Sequence, residues 1–255
     1  MPWAGLRLAV TLLTAIPLPG RPVALSRRTA TAAMYWAPVI GAAAGAVSAG
    51  VLLLAARAGH TGPLLASALA IGTGAVVTRA LHLDGLADFA DGLGSSQDPG
   101  GALAVMRRSD IGPFGVVTLV LILLIQVAAL ARAQALGRGP EAVLTAAVTA
   151  RLAMTVACRR PVPAARPGGL GAFVAGSVSA AWAVVLVLAA VAAAAWAGLA
   201  LAGSWYLAAG LLAGLAVSVA LTALATRRLG GITGDVLGAL AEVAGAVCLL
   251  VTALS

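Results

Sequence analysis

Three aspartates stand in one short stretch, "LHLDGLADFADGLG" (residues 81–94): Asp84, Asp88 and Asp91. Their i, i+4, i+7 spacing puts all three side chains on one face of a helix. Carboxylates stacked this way repel one another, and a divalent cation relieves the repulsion. Oxygen donors without clustered His or Cys suit Mg²⁺ or Mn²⁺ rather than zinc. Mg²⁺ bridging carboxylates and phosphate oxygens is the usual device of phosphoryl and nucleotidyl transfer. Asp84, Asp88 and Asp91 therefore read as metal ligands and as the catalytic cluster of such a transfer. The plainer alternative is a helix end whose aspartates cap backbone N–H groups, which suits one aspartate better than three. His82 flanks the cluster. It points away from the aspartate face on an unbroken helix, and becomes a candidate proton acceptor if the helix breaks at Gly85.

Partners for a phosphate are sought in the remaining polar segments. In "MRRSDIGPFG" (residues 106–115), Arg107 and Arg108 could hold phosphate oxygens, since a guanidinium offers two parallel hydrogen bonds. Two arginines before a membrane span also serve as topology anchors. Asp110 is either the N-cap of the helix that follows, with Pro113 early in it, or a member of the site. "RRPVPAARPGGLGAFVAGSVS" (residues 159–179) adds Arg166 among glycines. "RRLGGITGDVLG" (residues 227–238) carries Gly230, Gly231 and Gly234 before Asp235. Glycine turns opening a helix let backbone N–H groups face an anion. All of these are candidate substrate-binding residues, and Asp235 is either a cap or a further oxygen for the metal. Glu242 lies deeper in the last apolar run, where Arg79 or Arg151 could partner it.

The setting for this chemistry is a membrane. Of 255 residues, 62% are hydrophobic and 9% charged, with mean hydropathy +1.06. Soluble domains are about one quarter charged. The whole chain has eight acidic residues, and five of them fall within residues 84–110. Apolar runs of near the ~20 residues a bilayer requires predict seven spans: 37–56, 63–83, 111–131, 141–158, 180–202, 205–226 and 236–254. Residues 3–16 are too short and interrupted, and are expected to lie in the interface or re-enter. They show no small-residue cleavage site of a signal peptide. The expected fold is an all-α integral membrane protein, one domain over residues 1–255. Cys158 and Cys248, two isolated thiols, predict neither a disulfide nor a zinc site.

The net charge of +8 rests on sixteen arginines and no lysine. The arginines are scattered over short loops, which argues against a nucleic-acid surface and for topology setting. If residues 20–36 are cytoplasmic, so are 84–110, 159–179 and 227–235. That side holds ten arginines (21, 27, 28, 107, 108, 159, 160, 166, 227, 228) and the other three (57, 132, 138). The predicted location is the plasma membrane, multi-pass, with the polar site facing the cytoplasm.

These segments also carry a resemblance. "ALHLDGLADFADGLG", "VMRRSDIGPFGVV", "ARPGGLGAFVAG" and "RRLGGITGDVLGALAEVA", with "LLTAIPLP" and "YWAPVIGAAAGA" near the N-terminus, resemble the cobalamin synthase (adenosylcobinamide-GDP ribazoletransferase) family from about residue 6 onward. The resemblance implies a Mg²⁺-dependent membrane enzyme of the last step of coenzyme B12 nucleotide-loop assembly. Such an enzyme joins adenosylcobinamide-GDP to α-ribazole, or to its 5′-phosphate, and releases GMP. Attack would fall on the phosphorus attached to cobinamide. An oligomer is compatible with this reading. The CDP-alcohol phosphotransferases, which also use a membrane-boundary Asp cluster with Mg²⁺, are the runner-up, although their signature spacing is absent. A cation-coupled transporter ranks third, because its carboxylates would sit near the midplane, often in repeats.

Overall fold

The computed structural model describes residues 2–58 and 61–254. They form eleven helices: α1 (Pro2–Leu13), α2 (Arg27–Arg57), α3 (Pro63–Val77), α4 (Leu81–Gly94), α5 (Pro99–Val105), α6 (Pro113–Ala135), α7 (Gly139–Ala157), α8 (Leu170–Val174), α9 (Ala180–Ala202), α10 (Tyr206–Leu229) and α11 (Gly234–Leu254). Among the described residues there is no strand, only two single-residue parallel bridges. The all-α expectation holds. Both cysteines are free and buried.

Length and composition of the helices among the described residues do not by themselves confirm the count of seven spans. Five helices are long and apolar enough to cross a membrane: α2, α6, α9, α10 and α11. A bent pair, α3 with α4, makes at most a sixth. The expected straight span over 63–83 breaks because Arg79 and Ala80 adopt left-handed backbone, φ +54° and +53°. The chain then turns by 89° into α4. The expected span at 141–158 coincides with α7, which carries Glu141 and Arg151 and is buried along much of its length. It runs inside the bundle, sheathed by α2, α10 and α11 rather than by lipid, and its 19 residues are near the length a crossing needs. The first span begins at Arg27 instead of residue 37, with Ser26 and Thr29 forming a reciprocal capping box. At twelve residues, α1 is too short to span, and it packs against α2.

α11 is the axis. It packs against α4, α6, α7 and α10, and the residues of its apolar window are mostly buried. α9 lies at the other extreme and shows Trp182, Leu188 and Trp196 outward. An apolar surface of that kind needs lipid around it. Tryptophans near helix ends suit the headgroup level of a bilayer.

The segments between helices are stitched at one end of the bundle. Ile232 donates its backbone N–H to Pro163 O (2.9 Å), and Ala165 donates to Ile232 O (3.0 Å). Arg160 N–H reaches Val178 O at 3.0 Å. Arg27 donates to Ala175 O and Gly176 O at 3.2 and 3.1 Å. The 159–179 and 230–233 segments are thus welded together beside the N-terminus of α11.

Candidate active site

α4 is unbroken from Leu81 to Gly94, so the i, i+4, i+7 rule applies to its aspartates. Their surroundings nevertheless differ. Asp84 is exposed, Asp88 half-buried and Asp91 buried. Asp91 accepts the backbone N–H of Gly112 (2.7 Å) on one oxygen and that of Gly115 (2.9 Å) on the other. It therefore caps the start of α6 from another helix, satisfying N–H groups that have no partner within α6. The charge suits the positive end of that helix.

A different carboxylate takes the place beside Asp84 and Asp88. α4 crosses the first turn of α11 almost backbone to backbone: a β-carbon at Gly85 would lie 2.8 Å from the carbonyl oxygen of Asp235. A β-carbon at Gly238 would similarly press on the backbone of His82. Asp235 is thereby brought to the Asp84/Asp88 side of α4. Its charge and those of Asp84 and Asp91 add to burial in raising the pKa of Asp88 to about 6, burial being the larger cause, while Arg166 opposes them. Arg166 sits 3.5 Å from Asp235, and Thr233 donates its hydroxyl to Asp235 at 3.1 Å.

Capping of α11 falls to Thr233 rather than to Asp235. The Thr233 hydroxyl oxygen accepts the N–H of Val236 at 3.2 Å and so caps α11. Asp235 is left for the cluster. Asp110 is likewise relieved of capping, because Gly112 is the N-cap residue of α6 and Asp91 supplies the oxygens. Asp110 makes no hydrogen bond or ion pair among the described residues and lines a cleft with Arg108, Asp88, Gln97 and Phe114. Asp98 caps α5 through Gly101 N–H at 2.7 Å.

His82 departs from its proposed part in catalysis. With no break at Gly85, its side chain is 2% exposed and turns into the bundle, 3.5 Å from Arg151. The glycines of the 227–238 segment also serve a different end. Gly230 closes α10 in left-handed conformation, and a side chain at Gly231 would collide with Pro163 O. These two glycines dock one loop on another rather than presenting a free nest. Gly234 opens α11. Arg107 donates back to Leu103 O at 3.3 Å. Glu242 is partnered by Gln126 (2.8 Å), which composition alone did not single out. Arg79 instead reaches Thr11 O at 3.4 Å. The cavity that Glu242, Gln126 and Arg151 line within the bundle is about 90 Å³, too small for a substrate of any size.

Among the described residues no three His, Cys, Asp or Glu side chains form a ready-made metal cage. Two exposed or half-exposed carboxylates with a third from a crossing helix form an open acidic corner instead, with Arg166 paired to Asp235 and Arg108 lining the cleft that Asp88 shares.

The sequence matches the cobalamin-5-phosphate synthase family over residues 5–253. The chain belongs to that family. Three relatives bear the name adenosylcobinamide-GDP ribazoletransferase. The protein of Frankia casuarinae is 44% identical over 98% of this chain and 94% of its own. That of Nocardioides sp. is 40% identical over 96% of each. That of Chlorobaculum tepidum is 37% identical over 98% and 95%. No solved structure matches the chain. As a cobalamin-5-phosphate synthase family member, the protein carries its acidic corner on a helix bent 89° from the one before it.

Proposed function

We propose that this protein is an adenosylcobinamide-GDP ribazoletransferase, a multi-pass membrane enzyme of cobalamin nucleotide-loop assembly. Near-full-length similarity to relatives of that name supports the reaction. The observation that carries the site is the convergence of Asp84, Asp88 and Asp235 beside Arg166.

The balance of the reaction is simple. The 5′-hydroxyl oxygen of α-ribazole bonds to the phosphorus on the cobinamide side of the diphosphate. The bond from that phosphorus to the oxygen bridging to GMP breaks, GMP leaves, and the hydroxyl proton is released. Asp84, Asp88 and Asp235 are the residues that would hold Mg²⁺. The fit rests on an oxygen-only donor set and on like charges crowded around Asp88. The missing cage is no obstacle, because Mg²⁺ is commonly bound by one or two carboxylates and completed by substrate phosphates. Bound there, the ion would neutralise the charge gathering on the diphosphate as GMP leaves.

The chain's own residues do the rest. Arg166 is held by Asp235 until the diphosphate arrives, and its planar guanidinium then turns to a phosphate oxygen. Arg108 lines the same cleft as Asp88 and offers a second such donor. Asp91 keeps the N-terminus of α6 against α4, so the Arg108 segment stays in register with the acids. The site faces the cytoplasmic side of the plasma membrane, a placement supported by the ten-to-three arginine bias of the loops.

The deciding experiment supplies adenosylcobinamide-GDP and α-ribazole to purified protein in nanodiscs, with and without Mg²⁺, and follows GMP. Stoichiometric GMP and the joined corrinoid in the presence of Mg²⁺ are expected. Absence of both products at saturating substrates would refute the assignment, and turnover undiminished in chelator would remove the metal from it.

A further inference from the structure

The cleft beside Asp88 has walls suited to a flat, hydrogen-bonding ring. It is an open cleft of about 290 Å³ lined by Asp88, Ser95, Gln97, Arg108, Asp110 and Phe114, among others. Small-molecule sites begin at roughly 300 Å³, so the cleft can enclose one heterocycle, whereas a corrin macrocycle would lie mostly outside it. Phe114 supplies a platform. Its ring packs against Gly94, where a β-carbon would collide with it. Phe114 is still 53% exposed. An exposed aromatic side chain packed against main chain can stack a planar base without reordering itself. Asp110 stands at the same cleft, exposed, with no hydrogen bond or ion pair among the described residues and no capping duty.

Resting on the transferase reading above, the substrates bring four ring systems: guanine, adenine, the benzimidazole of α-ribazole, and the corrin. A carboxylate only accepts hydrogen bonds. Guanine presents two adjacent donors, N1–H and the 2-amino group, which one carboxylate can accept together. Adenine offers one donor beside an acceptor on the corresponding edge. A benzimidazole nucleoside offers no N–H at all. The corrin is too large to be enclosed. We propose that this cleft is the guanine subsite: the base of the GDP half stacks on Phe114, Asp110 accepts its N1–H and 2-amino hydrogens, and Arg108 lies toward the phosphates. The arrangement explains why the cleft adjoins Asp88, since the base and diphosphate of one nucleotide must occupy neighbouring places. It also makes Asp110 a specificity-determining residue rather than a helix cap.

The test compares GMP with IMP, which lacks only the 2-amino group. Binding of each is measured by isothermal titration to detergent-purified full-length protein in Mg²⁺, for wild type and for Asp110→Asn. Because Asp110 is exposed and unpartnered, the variant keeps its fold. Wild type is expected to bind GMP about 10- to 100-fold more tightly than IMP, the effect of one hydrogen bond to a charged acceptor. Asp110→Asn should bring the two within about threefold. Phe114→Leu should weaken both nucleotides alike. Equal affinity of wild type for GMP and IMP, or an unchanged ratio in Asp110→Asn, would overturn the subsite. Turnover of adenosylcobinamide-GDP in the same preparations separates the two readings. Discrimination without transfer keeps the subsite and refutes the transferase. Transfer without discrimination does the reverse.

Discussion

Asp88 and Asp91 lie one helical turn apart and their variants should diverge. Asp88 crowds against Asp84 and Asp235, whereas Asp91 holds two backbone N–H groups. Asp88→Asn removes a repelled charge, so its melting temperature without Mg²⁺ should stay level or rise while turnover falls by orders of magnitude. Asp91→Ala strips a cap and should cost about 1–2 kcal/mol of stability, seen as a lower melting temperature with a secondary loss of turnover. The pH dependence follows from the same crowding. The ordinary aspartate value is about 3.9, and the folded value of Asp88 is raised to about 6. Between those values the folded state binds more protons than the unfolded one, so stability without Mg²⁺ declines as pH rises from about 4 to 6 and then levels. Thermal melts across that range should show a steeper decline in wild type than in Asp88→Asn, which keeps only the contribution of the other buried acids such as Asp235. Asp235→Ser should lose most turnover at unchanged melting temperature, because Thr233 already caps α11.

Among the elements, the crossing of α4 over α11 decides the site. Gly85 leaves no space for a side chain against Asp235. Gly85→Val should lever the helices apart, separating Asp235 from Asp84 and Asp88, and abolish turnover in protein that still inserts and purifies as a monodisperse species. Four residues upstream of Asp84, the α3–α4 turn stores strain in Ala80, whose φ is +53°. Left-handed backbone costs an L-residue roughly 1–2 kcal/mol. Ala80→Gly should therefore raise the melting temperature and keep activity, while Ala80→Val should lower both.

Topology is a property of the whole chain. α6 carries the chain across the membrane between Ser96 and Gly137, which follow α4 and α6 respectively. With Cys158 and Cys248 replaced, a single cysteine at Gly137 should react with an impermeant maleimide on intact cells, and one at Ser96 only after permeabilisation. The opposite pattern would invert the orientation.

The amino-acid sequence determined by itself that the protein is helical and membrane-embedded, because apolar runs of bilayer length have no other stable form in lipid. It also isolated the chemistry, because acids are so rare in this chain that Asp84, Asp88 and Asp235 stand out by type alone. It could not say which acids meet. Helical periodicity puts Asp91 with Asp84 and Asp88, but periodicity knows nothing of the α6 N-terminus, whose bare N–H groups claimed Asp91. Nor could it show that the 63–83 run bends, since its hydropathy is continuous and the turn resides in two residues of left-handed backbone. For His82 the sequence offered a conditional, away from the acids on an unbroken helix and toward them if α4 broke at Gly85, and the continuity of α4 settles which branch applies. The partnership of Asp235 with residues some 150 positions earlier arises only where two helices approach closely enough for glycine. Composition and local pattern depend on neighbours in sequence, whereas caps, crossings and clefts depend on neighbours in space.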